Sequence, residues 1–433
     1  PEGPGGLSER PARDIGLPSR RARPESEVVH LDTSRLIPER LGGKISGGGQ
    51  VRDTAVVGLK QRDPATRSEV AKTMGGSQET EDAVTIGLEF LARHQSPDGS
   101  WRLHAFGDGK PGYADAGQAS VEADTAGTGL ALLAFLGAGY THHGGMYHDV
   151  IERGLAFLLK NQKPDGDLYV PPRRNPEGSN TWFYSHGIAS IALCEALGMT
   201  RDDELLREPA QRALDFIVKS QDPQFGGWRY RPGFGSDTSV SGWQLMALKS
   251  GERVGLSVPP STYAGVEKWL NFAQGVGGDP TRYAYRPQTT EPGMTAYRQT
   301  NRVMTAEALL MRQYLGWTRA NNNLVGGADY LLTELPALGT TDKPQRNSYY
   351  WYYATQVMFH MKGDYWKQWN DQLRPLLVDH QVKQGELSGS WDPRGPVPDE
   401  WGTAGGRIYV TTINLLILEV YYRYLPIYQN LEE

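Results

Sequence analysis

Two aspartates open apolar stretches of this chain: Asp124 in "VEADTAGTGLALLAFLG" and Asp237 in "SDTSVSGWQLMAL". A carboxyl group at the head of a helix has two uses. It can cap the helix by accepting first-turn N–H groups, or, when desolvated and neutral, it can donate a proton. Aligned on the apolar runs, the column reads Asp124, Ser185, Asp237 and Val303. Asp, Ser, Asp is an N-cap preference, so capping is expected for both aspartates, at a position where they could also meet a ligand or act as the acid of an enzyme. His186, Arg302, Arg407 and Tyr409 fall near the same helix ends and are candidate ligand-binding groups. Tyr349, Tyr352 and Tyr353, in the run "YYWYY", join them; such rings can stabilise cations, pack on isoprenoid tails or stack on sugars.

Metal and nucleophile chemistry find less support. The single cysteine, Cys194, rules out a disulfide framework or a multi-thiolate metal site, and its setting in "IASIALCEAL" reads as a buried, inert thiol. A zinc ion shared by Asp237, His186 and Cys194 is disfavoured because Cys194 lies two turns into its helix. "THHGGMYH", with His142, His143 and His148, reads as a surface turn between helices rather than a metal site. There is no glycine-rich phosphate loop and no serine-nucleophile motif. No metal and no cofactor are expected.

The elements that position these residues repeat. Aligned on Gln95, Gln162, Gln221 and Gln274, each segment has an aromatic five residues earlier: Phe90, Phe157, Phe216 and Trp269. An aliphatic precedes by four, and a residue no larger than valine by eight: Gly87, Gly154, Ala213 and Val266. Offsets of four and eight share one helical face. Weaker copies at 327–335 and 373–381 bring the number of amphipathic helices to six. Between them lie six helices that are apolar on most sides, starting near 124, 185, 237, 303, 349 and 408. A helix apolar all round must be covered all round. The alternation therefore predicts an (α/α)6 toroid, with six apolar inner helices and six amphipathic outer ones, over residues 76–433. An open solenoid would leave the apolar set exposed on one side.

Glutamine, glycine and tryptophan recur at the ends of the outer helices: Gln95 with Trp101, Gln162, Gln221 with Trp228, and Gln384 with Trp391. They read as structural staples, the glutamines supplying donors to orphan carbonyls and the tryptophans covering the junction to the next helix. In "QSPDGSW", "QFGGW" and "QGELSGSW" this pattern resembles the Q-x-x-x-G-x-W repeat of squalene/oxidosqualene cyclases and protein prenyltransferases. "SHGIASIALCEALGMT" and "YYWYYATQVM" are similar to bacterial proteins described only as prenyltransferase or squalene-oxidase repeat proteins. The resemblance covers roughly residues 78–428 and implies the same toroid. Complement-type thioester domains share that fold, but their G-C-G-E-Q motif is missing. The cyclase acid motif D-x-D-D-T-A is also degenerate: here "VEADTA" keeps Asp124, while Val121 and Ala123 replace the other two acids. The resemblance thus implies a non-classical member that binds an apolar, isoprenoid-like or partner ligand, without proton-initiated cyclisation. An isoprenoid cyclase or transferase, or a carbohydrate-active enzyme using Asp124 and Asp237, is the second reading.

The remaining chain, 1–75, carries Pro, Gly and Arg pairs without helical period and reads as an extended arm that lies along the body or a partner, through which the protein associates. The formal charge of −5 leaves no basic field for nucleic acid. No apolar run reaches the ~20 residues of a membrane helix. The chain begins at Pro1, as a processed secreted, periplasmic or membrane-associated form would, and the compartment is open.

Overall fold

The structure, a computed structural model, describes residues 61–423 except 108–112, 114–115, 175, 177–179 and 290–294. Residues 1–60 of the expected arm, and with them its expected role in association, lie outside the described residues. A short helix, α1 (Arg67–Thr73), comes first. The outer helices are α2 (Gln78–Arg93), α4 (His148–Asn161), α6 (Glu208–Lys219), α8 (Pro260–Ala273), α10 (Asn322–Leu332) and α12 (Gly363–Asp379). The inner ones are α3 (Asp124–Gly137), α5 (Trp182–Thr200), α7 (Thr238–Arg253), α9 (Arg302–Tyr314), α11 (Ser348–Met361) and α13 (Gly402–Leu418), followed by the single turn α14 (Val420–Arg423). A two-residue hairpin pairs β1 (Tyr283–Ala284) with β2 (Thr300–Asn301) just before α9.

Each inner helix packs on the next, and α13 returns to α3. The ring is closed, and the chain is an (α/α)6 toroid. Burial follows the sequence pattern. α6 buries one stripe, Ala210, Ala213, Leu214, Phe216 and Ile217, whereas α5 is buried from Ser185 through Gly198. The inner helices are not apolar on every buried side, however. Gln244, Glu307, Gln313, Gln356 and Asn414 are all buried. Two of them enter because the facing residue is glycine: a Cβ at Gly187 would lie 2.6 Å from Gln244 Nε2, and one at Gly242 would lie 2.2 Å from Glu307 Oε1. The inner helices, expected to be apolar on most sides, thus also carry buried polar side chains, two of them set into glycine notches of a neighbouring helix.

The glutamine–glycine–tryptophan words prove to join three helices at once. Gln95 Nε2 donates to Gly99 O (2.9 Å) in its own turn and to Val150 O (2.8 Å) in α4. Gln162 repeats this with Gly166 O (3.2 Å) and Pro209 O (2.8 Å), and Gln221 with Gly226 O (2.7 Å) and Thr262 O (2.9 Å). The amides thus bridge to the next outer helix instead of serving their own helix end. The turn glycine is required twice over. Gly99, Gly166, Gly226 and Gly389 all have positive φ, and a Cβ on any of them would lie within 2.3 Å of a carbonyl oxygen of the next outer helix. The indoles of Trp101, Trp228 and Trp391 donate to Leu91, Ile217 and Leu377 O, each at 2.8 Å. Their backbone N–H groups donate to Thr128, Ser241 and Thr411 of the inner helices.

In the last repeat the glutamine differs from the expected one. Gln381, not Gln384, donates to Gly389 O (3.0 Å) and to Ala83 O (2.8 Å) in α2, closing the outer layer on itself. Gln384 is exposed. The turn is longer here, so counting back from Trp391 to the nearest fitting glutamine lands three residues late. Gln381→Ala, which removes two bonds from a buried amide, is expected to cost about 1–3 kcal/mol. Gln384→Ala is expected to stay within about 0.5 kcal/mol. Urea unfolding followed by circular dichroism measures both.

Candidate functional site

Because each outer-to-inner loop returns to the start of an inner helix, the N-terminal ends of α3, α5, α7, α9, α11 and α13 share one mouth of the ring. The two aspartates expected to behave alike there do not. Asp237 is the N-cap of α7: Oδ1 accepts from the Val240 N–H at 2.7 Å. Its Oδ2 accepts from the Tyr285 hydroxyl (3.1 Å) and lies 3.7 Å from Arg229 Nε. The group is wholly buried. Burial pushes its carboxyl up to about 7, against the opposing pull of the Val240 N–H and Arg229.

Asp124 is the first residue of α3, whose cap, Ala123, has no side-chain hydrogen bond. Asp124 makes no cap. Its Oδ1 is buried without a hydrogen bond, 3.5 Å from His104 Nδ1, and Arg102 Nε is 4.0 Å from Oδ2. Burial raises this carboxyl too, with His104 and Arg102 working the other way. Glu122 turns away to accept from the backbone N–H groups of Arg173 (2.7 Å) and Arg174 (3.4 Å).

The hydroxyl bonds to the Trp-position amides fix the register of the inner helices: Thr128 and Ser241 lie four residues after Asp124 and Asp237, and Thr305 and Thr411 serve Tyr283 and Trp391. In this register the N-cap partner in α9 is Asn301, which accepts from Met304 N at 2.9 Å, and not Val303. Ser185 likewise lies inside α5.

Several expected ligand groups are tied into the walls. His186 occupies the Thr128 position of α5: Nδ1 accepts from Leu168 N–H (3.2 Å), and Nε2 donates to Ala213 O (3.0 Å). Arg302 turns outward to Thr333 Oγ1 (3.1 Å) and Glu334 Oε2 (3.0 Å). Arg407 is buried against Ser390 Oγ (3.1 Å), Asp392 Oδ2 (2.7 Å) and the Ala116 carbonyl, fastening two loops to α13. Tyr352 stacks on Trp243 with ring centres 5.7 Å apart, and Tyr353 packs edgewise on both Tyr349 and Tyr352. These are buried packing contacts.

Tyr349 is different, and it leads to groups that the sequence reading passed over. Its hydroxyl is 2.6 Å from Ser239 Oγ and 3.3 Å from Glu307 Oε2. Tyr184 donates to the same Ser239 Oγ at 2.8 Å. A chain of hydroxyls therefore runs from the partly exposed Tyr184 to the buried Glu307, whose carboxyl burial holds far above the usual range. Beside it, Tyr230 and Tyr285 share a 2.6 Å bond, and Tyr285 reaches Asp237. Tyr409 and the half-exposed Trp401 complete the rim, with the Trp401 ring 6.5 Å from that of Tyr349. The signal for Glu307 was present: it is the one carboxylate in the otherwise apolar "VMTAEALLM". Tyr230 and Tyr285 each follow a wall residue, Trp228 and Tyr283, by two positions.

No protein-family model matches the chain, and no curated protein does. Solved structures do. The GH76A α-1,6-mannanase from Salegentibacter sp. HEL1_6 superposes with a TM-score of 0.54 at 9% identity, covering 79% of this chain and 98% of that one. An inactive variant of it in complex with α-1,6-mannotetrose gives 0.54 at 8% identity, covering 79% and 98%. The type II terpene cyclase MstE from Scytonema gives 0.48 at 14% identity over 79% and 97%. The chain shares the α/α-toroid architecture of the mannanase; at such identities the likeness is one of fold.

Proposed function

We propose that this toroid is a binding protein whose mouth takes a neutral, hydroxyl-bearing ligand with a flat face, such as a sugar ring, and that it is not a proton-initiated cyclase. The observation that carries this reading is the hydroxyl chain Tyr184–Ser239–Tyr349–Glu307, backed by Tyr230–Tyr285–Asp237. Tyrosines present both a π-face and a hydroxyl, the two features a sugar ring matches. Two acids at this mouth whose carboxyls burial raises, Asp237 and Glu307, are fully buried behind the phenols, where they polarise hydroxyls instead of touching a substrate. An acid that protonates an alkene must reach it. Nothing in this reading uses the 1–60 segment. Among the described residues no helix is long and apolar enough to cross a membrane.

The test is calorimetric titration with neutral oligosaccharides, α-1,6-mannotetraose first, alongside squalene and polyprenyl diphosphates. A saturable sugar isotherm is expected, weakened at least fivefold by Tyr349→Phe, a variant that loses about 1–3 kcal/mol of stability but stays folded by circular dichroism. Turnover of squalene or a polyprenyl diphosphate, or an isotherm for these and none for sugars, overturns the reading.

Asp124 favours a second reading, as the acid of an enzyme, since its carboxyl is raised, uncapped and partly exposed. Asp124→Asn separates the two. An enzyme loses turnover, while stability shifts by no more than about 0.5 kcal/mol because no cap bond is lost.

A further inference from the structure

At the opposite end of the inner helices, two loops bring three ligating side chains together. One is the α3–α4 loop carrying His142 and His143. The other follows α5, which ends on the left-handed Arg201 (φ 55°) and so turns Asp202 toward the histidines. His142 Nε2 lies 3.3 Å and His143 Nε2 3.1 Å from the same oxygen, Asp202 Oδ2. The other oxygen, Oδ1, is occupied as a cap, accepting from Leu205 N–H at 3.2 Å. All three ligand atoms lie within 4.8 Å of one another.

We propose that His142, His143 and Asp202 form a site for a divalent transition metal of the zinc class. The two nitrogen–carboxylate distances are close to what a tetrahedron asks for: with metal–ligand bonds of about 2.0–2.1 Å, neighbouring ligand atoms sit about 3.3–3.4 Å apart. The donor set, two imidazole nitrogens and one carboxylate oxygen, suits Zn2+ and its neighbours better than Mg2+ or Ca2+, which take oxygen shells. Without an ion, both rings must present an N–H to a single oxygen. His142 is then held with Nδ1 buried and without a hydrogen-bond partner, a poor arrangement for a polar atom. With an ion, both Nε2 lone pairs and the carboxylate charge point at one centre. The His142 side chain is buried and that of His143 is half exposed, so the fourth position faces solvent. An ion here would clip the first repeat to the second, across the loops that end α3 and α5.

The experiment uses the full chain, stripped with chelator and titrated with ZnCl2, in parallel with His143→Gln. His143 is exposed enough for that substitution to leave folding intact. One Zn2+ per chain is expected, with an upward shift of the thermal midpoint. The variant is expected to bind at least tenfold more weakly and to lose most of the shift. Co2+ in place of Zn2+ is expected to give the visible absorption of a tetrahedral site, abolished by Asp202→Asn. Failure of the wild-type chain to bind Zn2+, equal binding by wild type and His143→Gln, or octahedral Co2+ spectra overturn the proposal.

Discussion

Replacing Arg423 with methionine is expected to lower the free energy of unfolding by about 3–5 kcal/mol, since removing one partner strands a charge taken out of water. Arg423 is buried at the end of α14. Its guanidinium reaches Glu195 Oε1 (2.8 Å), Leu133 O (3.0 Å) and Glu419 Oε2 (3.7 Å). Glu195 is also bonded by Arg62 at 2.7 Å, and Arg62 in turn donates to Arg423 O at 3.0 Å. Burial alone would raise the Glu195 carboxyl, but Arg423 and Arg62 more than offset it and hold it low. A lowered carboxylate contributes stability that is present above its unfolded value, about 4.3, and that is lost as pH falls through the folded one. The Arg423→Met variant should therefore differ most from wild type near neutrality and converge with it in acid. Urea unfolding across pH measures this. A loss under 1 kcal/mol at neutral pH would mean that the cluster is not desolvated as described.

The second large effect has the opposite sign. Asp237 is raised to about 7, so the folded state holds a proton that the unfolded chain, near 3.9, has released. Stability from this group is full below pH 4 and is withdrawn as pH rises to about 7, by on the order of 4 kcal/mol at most. Glu307 and Glu419 are also raised by burial and act in the same direction. Asp237→Asn keeps an oxygen for Val240 N–H and removes the titration. It is expected to flatten the decline between pH 5 and pH 8 and to be at least as stable as wild type at the upper end. A wild-type chain whose midpoint rises steadily over that interval would contradict the assignment.

The ring itself was legible in the chain because its cause is local. Periodic faces and turn glycines recur along the chain; the long final turn displaced one register, from Gln381 to Gln384, and the inner-helix column slipped in α5 and α9, to Ser185 and Val303. The site was less legible because its residues act through neighbours distant in sequence. Asp124 and Asp237 look alike as letters. What separates them is whether a tyrosine and a first-turn N–H converge on the carboxylate, and Tyr285 is forty-eight positions from Asp237. His186 looked like a ligand because histidine often is one, yet it stands where other repeats use a threonine or serine. Glu307 was passed over as part of an apolar run, although its value lies in being the one acid there.

The bond from Gln381 to Ala83 has a consequence for how the molecule comes apart. An open array of repeats has ends, and ends can fray while the middle holds. Here the sixth unit grips the first with the same kind of amide bridge that joins the first four units in sequence, so the ring has no free end. Melting should be one event whichever unit is probed, and deleting any helical pair should abolish the whole structure rather than shorten it.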